Sequence, residues 1–364
     1  SYCAFYSVAD ADSAQIAAYS DLIIREMQIR SAEWLGRKLI SIYFGGGTPS
    51  LLDPDQIRGI LQSAFSFFQP SSDIEITLEA NPGTLDRKKL TGFCKAGVNR
   101  ISLGVQALDD RRLRFLDRIH TAAEAEAALH LLKAAGSVRI SADLMLGTPN
   151  ETKNSWDREL DRLFSFRPEA ISIYTLTLEE GTRLANRAQQ GEKLQLSAEA
   201  TVELLLHLAD RLRRRGYRHY EVSNWALPGA ECRHNLHYWR RGCYLGLGPS
   251  AHSFQDATRR WNLSDLPAYN KAVSDGREPP SNEEHLTDED SRLEWVYLCL
   301  RQENGLDLDE YRSRYGPVPD GWPLILQDLQ GVGLGVSSGC VFRLSDKGFL
   351  LADEIAARLL VVEK

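Results

Sequence analysis

Residues 39–50 read Leu39-Ile40-Ser41-Ile42-Tyr43-Phe44-Gly45-Gly46-Gly47-Thr48-Pro49-Ser50. An apolar, partly β-branched run comes first, and three glycines follow it directly. The run predicts a buried strand. The glycines predict a loop whose backbone a ligand can approach closely, because glycine has no Cβ. This stretch therefore predicts a strand that carries an open loop at its carboxyl end.

The same strand pattern recurs along the chain, at Ile74–Leu78, Arg100–Val105, Arg139–Leu144, Ala170–Leu176 and Tyr217–Val222. Helical patterns separate the strands, at Pro54–Phe68, Asp86–Ala96, Thr121–Ala135, Ser155–Phe166 and Ser197–Arg215. Regular alternation of strand and helix predicts parallel strands joined by right-handed crossovers. The strands read as apolar on both faces, as in a buried parallel sheet. The predicted fold class is therefore α/β, either a TIM-like barrel or a doubly wound sheet.

A polar, proline-containing stretch at 256–288 predicts a linker after the strand and helix repeats of residues 1–255. The pattern beyond it is mostly helical. Its predicted elements are helices at Thr287–Arg301, Leu306–Tyr315, Trp322–Leu329 and Lys347–Leu360 and a short strand at Cys340–Leu344. These elements predict a small, mostly helical, winged-helix-like domain at 289–364.

Composition excludes several classes of protein. Of the 364 residues, 43% are hydrophobic and 26% are charged, which argues against disorder as the main state. The formal net charge of −7 argues against a nucleic-acid partner, since basic residues supply most of the affinity for phosphate backbones. No apolar run reaches the roughly 18–20 residues that cross a bilayer, so we predict no integral membrane segment. Six scattered cysteines favour a reducing, cytoplasmic compartment over a disulfide scaffold.

Polar residues and glycines stand at the carboxyl ends of successive predicted strands. They are Gly45-Gly46-Gly47-Thr48-Pro49, Glu79-Ala80-Asn81-Pro82, Gln106, Asp143, Thr177 and Asn224. Each one alone is compatible with an ordinary turn. Together they favour a functional site, because these ends of parallel strands face one crevice in α/β enzymes.

Two further motifs weakly resemble ligand sites. Gly246-Leu247-Gly248-Pro249-Ser250-Ala251 imitates a dinucleotide fingerprint, but Pro249 and the lack of a helical pattern afterwards count against it. The cysteines and histidines of a second segment have spacings that zinc accepts, although no second cysteine pair accompanies them. They are Cys232, His234, His237 and Cys243. A polar loop above packed aromatic residues is the alternative for that segment.

Four stretches carry a resemblance to a known family. They are Gly45-Gly46-Gly47-Thr48-Pro49-Ser50, Glu79-x-Asn81-Pro82, Asn99-Arg100-Ile101-Ser102-Leu103-Gly104-Val105-Gln106 and Asp143-Leu144-x-x-Gly147-x-Pro149. These motifs closely resemble those of radical S-adenosylmethionine (SAM) proteins of the oxygen-independent coproporphyrinogen III oxidase family. The similarity runs from Ser1 to the closing helix. It implies a partial, six-stranded β/α TIM-like barrel of radical SAM type, followed by the small C-terminal domain.

Two features resemble the heme chaperone branch of this family more than the oxidase branch. In Cys3-Ala4-Phe5, a Phe stands where the oxidases have their last Cys. His234-Asn235-Leu236-His237-Tyr238-Trp239 is similar to the H-N-x-x-Y-W heme-binding motif of the chaperones, within a heme-motif region near 221–254. The resemblance implies a chaperone that binds heme and delivers it to an acceptor protein. The alternative is an oxygen-independent coproporphyrinogen III oxidase, which decarboxylates its substrate by radical chemistry.

The resemblance also implies cofactors and the residues that hold them. Three thiolates, of which Cys3 would be the third, hold a [4Fe–4S] cluster in this family. His234 would be an axial heme ligand, with a loop histidine bonded to backbone as the alternative. No residue is assigned to catalysis. The residues implied to contact SAM are Gly45, Gly46, Gly47, Thr48, Glu79, Gln106, Arg118 and Asp143.

The sequence departs from the family pattern in two places. The family has two cysteines before the one that matches Cys3, and we expect them, with the first barrel strand, in a segment that precedes Ser1. The alternative is a form of the protein that cannot bind the cluster. Asp117 stands where family members commonly have Gly, which weakens the assignment of Arg118. A respiratory-chain acceptor, peripheral membrane association through that acceptor, and a homodimer are all compatible with the resemblance.

Overall fold

The chain divides into two compact units. The computed structural model describes residues 6, 8 and 12–361. The first unit comprises the residues up to 197 together with 245–253 and 260–283. The second comprises 198–244, 254–259 and the residues from 284 onward. This division differs from the predicted order of barrel, linker and C-terminal domain, because both units are built from separate stretches of chain.

Five parallel strands form the centre of the first unit. They pair in chain order, each with the next, and helices connect them. The strands are β1 (Lys38–Phe44), β2 (Gln69–Ala80), β3 (Arg100–Gln106), β4 (Arg139–Leu146) and β5 (Ala170–Thr175). This arrangement confirms the predicted partial β/α barrel. The helices of this unit are α1 (Ser13–Arg30), α2 (Pro54–Phe67), α3 (Arg87–Ala96), α4 (Asp110–Phe115), α5 (Ala122–Ala135), α6 (Lys153–Phe166), α7 (Arg183–Gln189) and α10 (Leu266–Ser274).

Strands β2 to β5 alternate between an apolar and a polar face, and both faces carry buried side chains. One face carries aliphatic side chains such as Leu78, Leu103 and Ile171. The other carries polar side chains, which are Glu75, Thr77, Arg100, Ser102, Ser141 and Ser172. The prediction that both faces are apolar is therefore wrong. In a barrel, alternate residues of each strand point inward, so the polar set forms one continuous lining.

The second unit combines helices with short antiparallel strands. The segment predicted as a strand at 217–222 forms β6 (Arg218–Glu221), which pairs antiparallel with β7 (Asn224–Ala226). The helices of the second unit are α8 (Ala198–Arg214), α9 (Arg233–Trp239), α11 (Asp288–Leu300), α12 (Leu308–Tyr315), α13 (Trp322–Gly331), α14 (Asp346–Phe349) and α15 (Ala352–Val361). A three-stranded sheet packs beside them in the order β11-β13-β12, formed by β11 (Leu306–Asp307), β12 (Gly335–Ser338) and β13 (Val341–Leu344). Trp295, Trp322 and Phe342 lie in its core, so the small, mostly helical C-terminal part is confirmed.

The stretch predicted as a linker at 256–288 is folded. It contains β9 (Thr258–Asn262), α10 and β10 (Ser281–His285), and β9 lies between β8 (His252–Gln255) and β10 in a second three-stranded sheet. Asp265 caps α10 by accepting from the Ala268 N–H at 2.9 Å. The prolines and polar residues of this stretch therefore serve turns and caps. None of the helices that the structure describes combines the length and apolar content that crossing a bilayer would need.

Candidate functional site

Glu79 lies at the carboxyl end of β2 and joins two of the predicted site segments. Its carboxylate accepts a hydrogen bond from the Tyr43 hydroxyl at 2.8 Å and one from the Gly46 N–H at 3.3 Å. Burial raises the pKa of Glu79 above its ordinary value, and the same cause raises the pKa of Tyr43. The glycine loop is therefore tied to a half-buried carboxyl whose raised pKa favours the protonated form.

The triple glycine is closely packed at Gly45 and open at Gly46. A Cβ on Gly45 would lie 2.8 Å from Cε1 of Tyr43 and 3.2 Å from Oε1 of Glu79, so a side chain there would displace the pair. Gly46 has a φ of 110°, which L-residues rarely adopt, and a Cβ on it would meet nothing within 4 Å. Thr48 follows, with its hydroxyl accepting from the Asn81 amide at 3.3 Å. The loop therefore offers free space next to Glu79.

Gln106, at the end of β3, adopts an unusual backbone conformation. Its φ is 61°, and the Ala107 N–H bonds back to the Val105 carbonyl at 2.7 Å. The same carbonyl accepts from the ring of the buried His120 at 3.2 Å. A Cβ on Gly104 would lie 2.9 Å from Nε2 of Gln106, so the glycine makes room for this amide. A non-glycine residue held in the left-handed region by its surroundings is common at ligand sites.

Asp143 projects from β4 to the polar face of the sheet. Ser102 on β3 donates to its Oδ2 at 3.0 Å, and Ser172 on β5 donates to its Oδ1 at 2.8 Å. Burial raises the pKa of Asp143, while these hydroxyls and the nearby charges of Arg100 and Arg118 act in the opposite direction. The structure thus holds the carboxyl in one orientation between two serines.

Arg118 lies in a tight turn after α4. The preceding Asp117 has a φ of 53°, the left-handed region that glycine adopts without strain. That conformation gives a physical reason for the Gly common at this position, and aspartate is one of the residues that tolerate it. The substitution is therefore compatible with the turn. The charge of Arg118 acts on both Asp143 and His120.

His234 lies on α9 in the second unit. Its ring is half-buried and packs edge-on against Tyr238, with 4.5 Å between the ring centroids. The second histidine of the motif is engaged, since Nε2 of His237 lies 2.8 Å from the Cys243 carbonyl oxygen. In the described part of the chain no three His, Cys, Asp or Glu side chains are grouped to hold a metal ion. The zinc alternative for this segment is therefore wrong.

The comparisons with known proteins agree with these motifs. The radical SAM superfamily model matches residues 1–163. The heme chaperone HemW of Bacillus subtilis (strain 168) is 31% identical over 94% of this chain and 91% of its own length. The heme chaperone HemW of Mycobacterium tuberculosis (strain CDC 1551 / Oshkosh) is 34% identical over 92% of this chain and 84% of its own length. The chain belongs to the HemW family.

A solved structure supports the fold of this HemW-family chain. It is coproporphyrinogen III oxidase (HemN) from Escherichia coli, a radical SAM enzyme, with a TM-score of 0.83 and 22% identity. The alignment covers 98% of this chain and 86% of that one. At this level of identity the likeness concerns the fold. It confirms the partial barrel of radical SAM type with an additional C-terminal part.

The structure shows interactions between some of the predicted site residues of this HemW-family chain, and one predicted residue is outside the described part. Within the first unit Gly46 bonds to Glu79, while Arg118 acts on Asp143 through its charge. His234 belongs to the second unit. Cys3 lies outside the described residues, and none of the five described cysteines is in a disulfide: Cys94, Cys232, Cys243, Cys299 and Cys340.

The polar partners of the predicted site residues were not predicted from the sequence. Tyr43 hydrogen-bonds Glu79, Ser102 and Ser172 hold Asp143, and the charge of Arg100 acts on both carboxyls. These partners could have been predicted from polar residues that occupy every second position of a strand. In β4, for example, Ser141 and Asp143 alternate with Ile140, Ala142 and Leu144.

Proposed function

We propose that this chain is a heme chaperone that binds heme and delivers it to an acceptor protein, and that its barrel also holds SAM and a [4Fe–4S] cluster. The observation that carries the proposal is the match to curated heme chaperones along nearly the whole chain, 94% of it in the first case. The proposal includes a heme-protein acceptor, for which respiratory-chain proteins are the candidate class. Peripheral membrane association would then follow from that acceptor.

The polar edge of the barrel suits SAM, which carries a sulfonium, an ammonium, a carboxylate and ribose hydroxyls. The glycine loop Gly45-Gly46-Gly47, whose backbone is open at Gly46, can accept and donate hydrogen bonds to the methionine part, next to Thr48. Glu79 can hold the ammonium group, because it is a carboxylate acceptor beside that loop. A [4Fe–4S] cluster with SAM supplies one-electron redox chemistry, and Cys3 is the residue we assign to the cluster.

Three further residues complete the proposed SAM site. Asp143 and Gln106 suit the ribose hydroxyls or the sulfonium, since each offers an oxygen acceptor fixed by its surroundings. Arg118 suits the carboxylate, for which a guanidinium is the matching donor. Burial raises the pKa values of Glu79 and Asp143, so a bound cation would favour their charged forms and release protons on binding.

For heme, we propose His234 as an axial ligand through an imidazole nitrogen. Its half-buried position on α9, beside the aromatic ring of Tyr238, suits a ligand that is largely apolar. His237 is the less suitable histidine of the motif, because its Nε2 faces a backbone carbonyl.

The test is a hemin titration of the full chain followed through the Soret band. The wild type should bind hemin, and His234→Ala should weaken the affinity by about tenfold or more, which corresponds to about 1.4 kcal/mol. His130→Ala is the matched control, because His130 is exposed on α5 of the first unit. Equal affinities and Soret bands for wild type and His234→Ala would contradict the ligand assignment. Absence of hemin binding by the wild type would contradict the chaperone function.

A further inference from the structure

His252, at the start of β8, presents an imidazole with one nitrogen fixed and the other available. Its ring is exposed, and Nδ1 lies 3.1 Å from the Ser250 carbonyl oxygen. A carbonyl only accepts, so Nδ1 is the donor to it, and in the neutral ring this leaves the lone pair on Nε2. No described residue bonds to that Nε2. Trp261 lies nearly parallel to the ring, with an interplanar angle of 19° and 5.9 Å between centroids.

The backbone that carries His252 is held by a buried arginine. Arg30 of α1, only 2% exposed, donates to the Gly246 carbonyl at 3.1 Å and to the Ser253 hydroxyl at 3.2 Å. The Gly246 N–H in turn bonds to that hydroxyl at 3.0 Å. A Cβ on Gly246 would lie 2.0 Å from the His252 carbonyl oxygen, so only glycine allows this approach. Gly246, in the motif that resembles a dinucleotide fingerprint, therefore helps to position His252.

A buried carboxylate braces the other side of the same loop. Glu26 accepts from the Gly248 N–H at 2.7 Å, from the Asn262 amide at 2.7 Å and from the Tyr269 hydroxyl at 2.8 Å. Between these anchors Ser250, whose carbonyl fixes the imidazole, has a φ of 62°. Such a conformation in a non-glycine residue persists only when the surrounding structure imposes it. The ring is therefore mounted on a preorganised loop, as functional side chains require.

The arrangement matches a metal-ligating histidine, whose second ring nitrogen is usually held by a carbonyl or carboxylate. A bare ion would need several protein ligands, and the part of the chain that the structure describes groups no three of them. Heme iron needs only an axial ligand, because the porphyrin supplies four nitrogens. Leu263 is 37% exposed, and its carbonyl accepts from the Ser250 N–H at 3.4 Å, which joins its backbone to the loop that carries the imidazole.

Two further histidines of the described chain, His120 and His219, are less suitable as ligands. His120 is buried against a carbonyl, and His219 has both ring nitrogens engaged, by Asp346 and by the Val222 carbonyl. We propose that His252 is an axial ligand of the cargo heme, with Nε2 as the ligating atom and the indole of Trp261 beside it. The inference rests on the proposed function, since it takes the heme of the chaperone as the ligand.

The test compares hemin titrations of the full-length wild type, His252→Ala, His234→Ala and the control His130→Ala. We expect His252→Ala to bind hemin about tenfold more weakly, with a changed Soret band that added imidazole restores. His130→Ala should match the wild type.

The inference is overturned if His252→Ala matches the wild type, if His130→Ala weakens binding equally, or if imidazole restores nothing. If the wild type binds hemin and only His234→Ala loses affinity, this inference alone fails. If the wild type binds no hemin, the proposed function fails with it.

Discussion

At the scale of single residues, Glu221 in the second unit shows how burial sets a proton affinity. Its side chain is 1% exposed, and it accepts hydrogen bonds from the Asn224 amide and from the Ser223 N–H. Burial raises its pKa from the ordinary 4.5 to about 7, although both hydrogen bonds act in the opposite direction. Between pH 4.5 and about 7, Glu221 is therefore mostly protonated in the folded chain and mostly deprotonated in the unfolded chain.

This difference makes the stability of the wild type fall with rising pH in that window. Folding stability decreases wherever the folded state binds more protons than the unfolded state. Relative to Glu221→Gln, the wild type should lose about 3 kcal/mol as the pH rises from about 4.5 through about 7, and no more above it. Denaturant unfolding of both proteins across this range measures the difference. A pH-independent difference would contradict the buried, protonated carboxyl, and the exposed variant Glu289→Gln serves as the control.

Gly45 tests the glycine loop at the same scale. Gly45→Ala would place a Cβ 2.8 Å from Tyr43 and 3.2 Å from Glu79, which would disturb the pair that anchors the loop. We expect about a tenfold loss of SAM affinity in equilibrium dialysis with labelled SAM. Gly59→Ala, where the nearest atom is Cδ1 of Ile24 at 3.8 Å, should bind SAM like the wild type. Equal affinity of Gly45→Ala and the wild type would place the SAM site elsewhere.

At the scale of elements, a buried ion cluster ties α4 to α6. Arg112 pairs with Glu159 and lies 3.3 Å from Glu151, and its guanidinium carbon is 4.6 Å from the centre of the Trp156 ring. Its Nε also donates to the Thr148 hydroxyl at 3.2 Å. Thr148 and Glu151 belong to the loop that follows β4, so their contacts with Arg112 hold the segment after Asp143.

Removing the arginine should leave two buried carboxylates without their cation. We expect Arg112→Met to lower the free energy of unfolding by about 3–5 kcal/mol, since a buried charge that loses its partner is strongly destabilising. The neighbouring Arg111 pairs with Asp109 at 3.2 Å but is 85% exposed. Arg111→Met should therefore cost less than about 1 kcal/mol. Similar effects of the two substitutions in urea unfolding would refute the importance of burial here.

Local sequence patterns predicted the central strands and helices, but they did not predict the polar face of the strands. Arg100–Val105 was expected as a strand and forms β3, Arg100–Gln106. Thr121 was expected at a helix start, and it caps α5 by accepting from the Glu124 N–H. The polar face was missed because Ser and Thr interrupt an aliphatic pattern only weakly. Their burial depends on barrel closure, which no single strand reveals.

At the scale of the whole molecule, contacts between segments far apart in sequence determine which stretches of chain belong to one unit, and local sequence patterns do not predict these contacts. Glu26 is 222 residues from Gly248, 236 from Asn262 and 243 from Tyr269, yet it bonds to all three. Those bonds place 245–253 and 260–283 with the first unit. A polar, proline-containing stretch cannot reveal such partners, which is why it predicted a linker. The motifs at strand ends were predictable, because they depend on local spacing alone.

The most direct test of the central claim is heme transfer from the full chain loaded with hemin. Stopped-flow absorbance would follow the Soret band after mixing with the apo form of a respiratory cytochrome b, with apomyoglobin as a passive sink. A heme chaperone should bind hemin saturably and pass it to the cytochrome faster than it loses it to the sink. Failure to bind hemin, or transfer to the cytochrome no faster than passive loss, would contradict the account. Anaerobic decarboxylation of coproporphyrinogen by the same preparation would instead favour the oxidase.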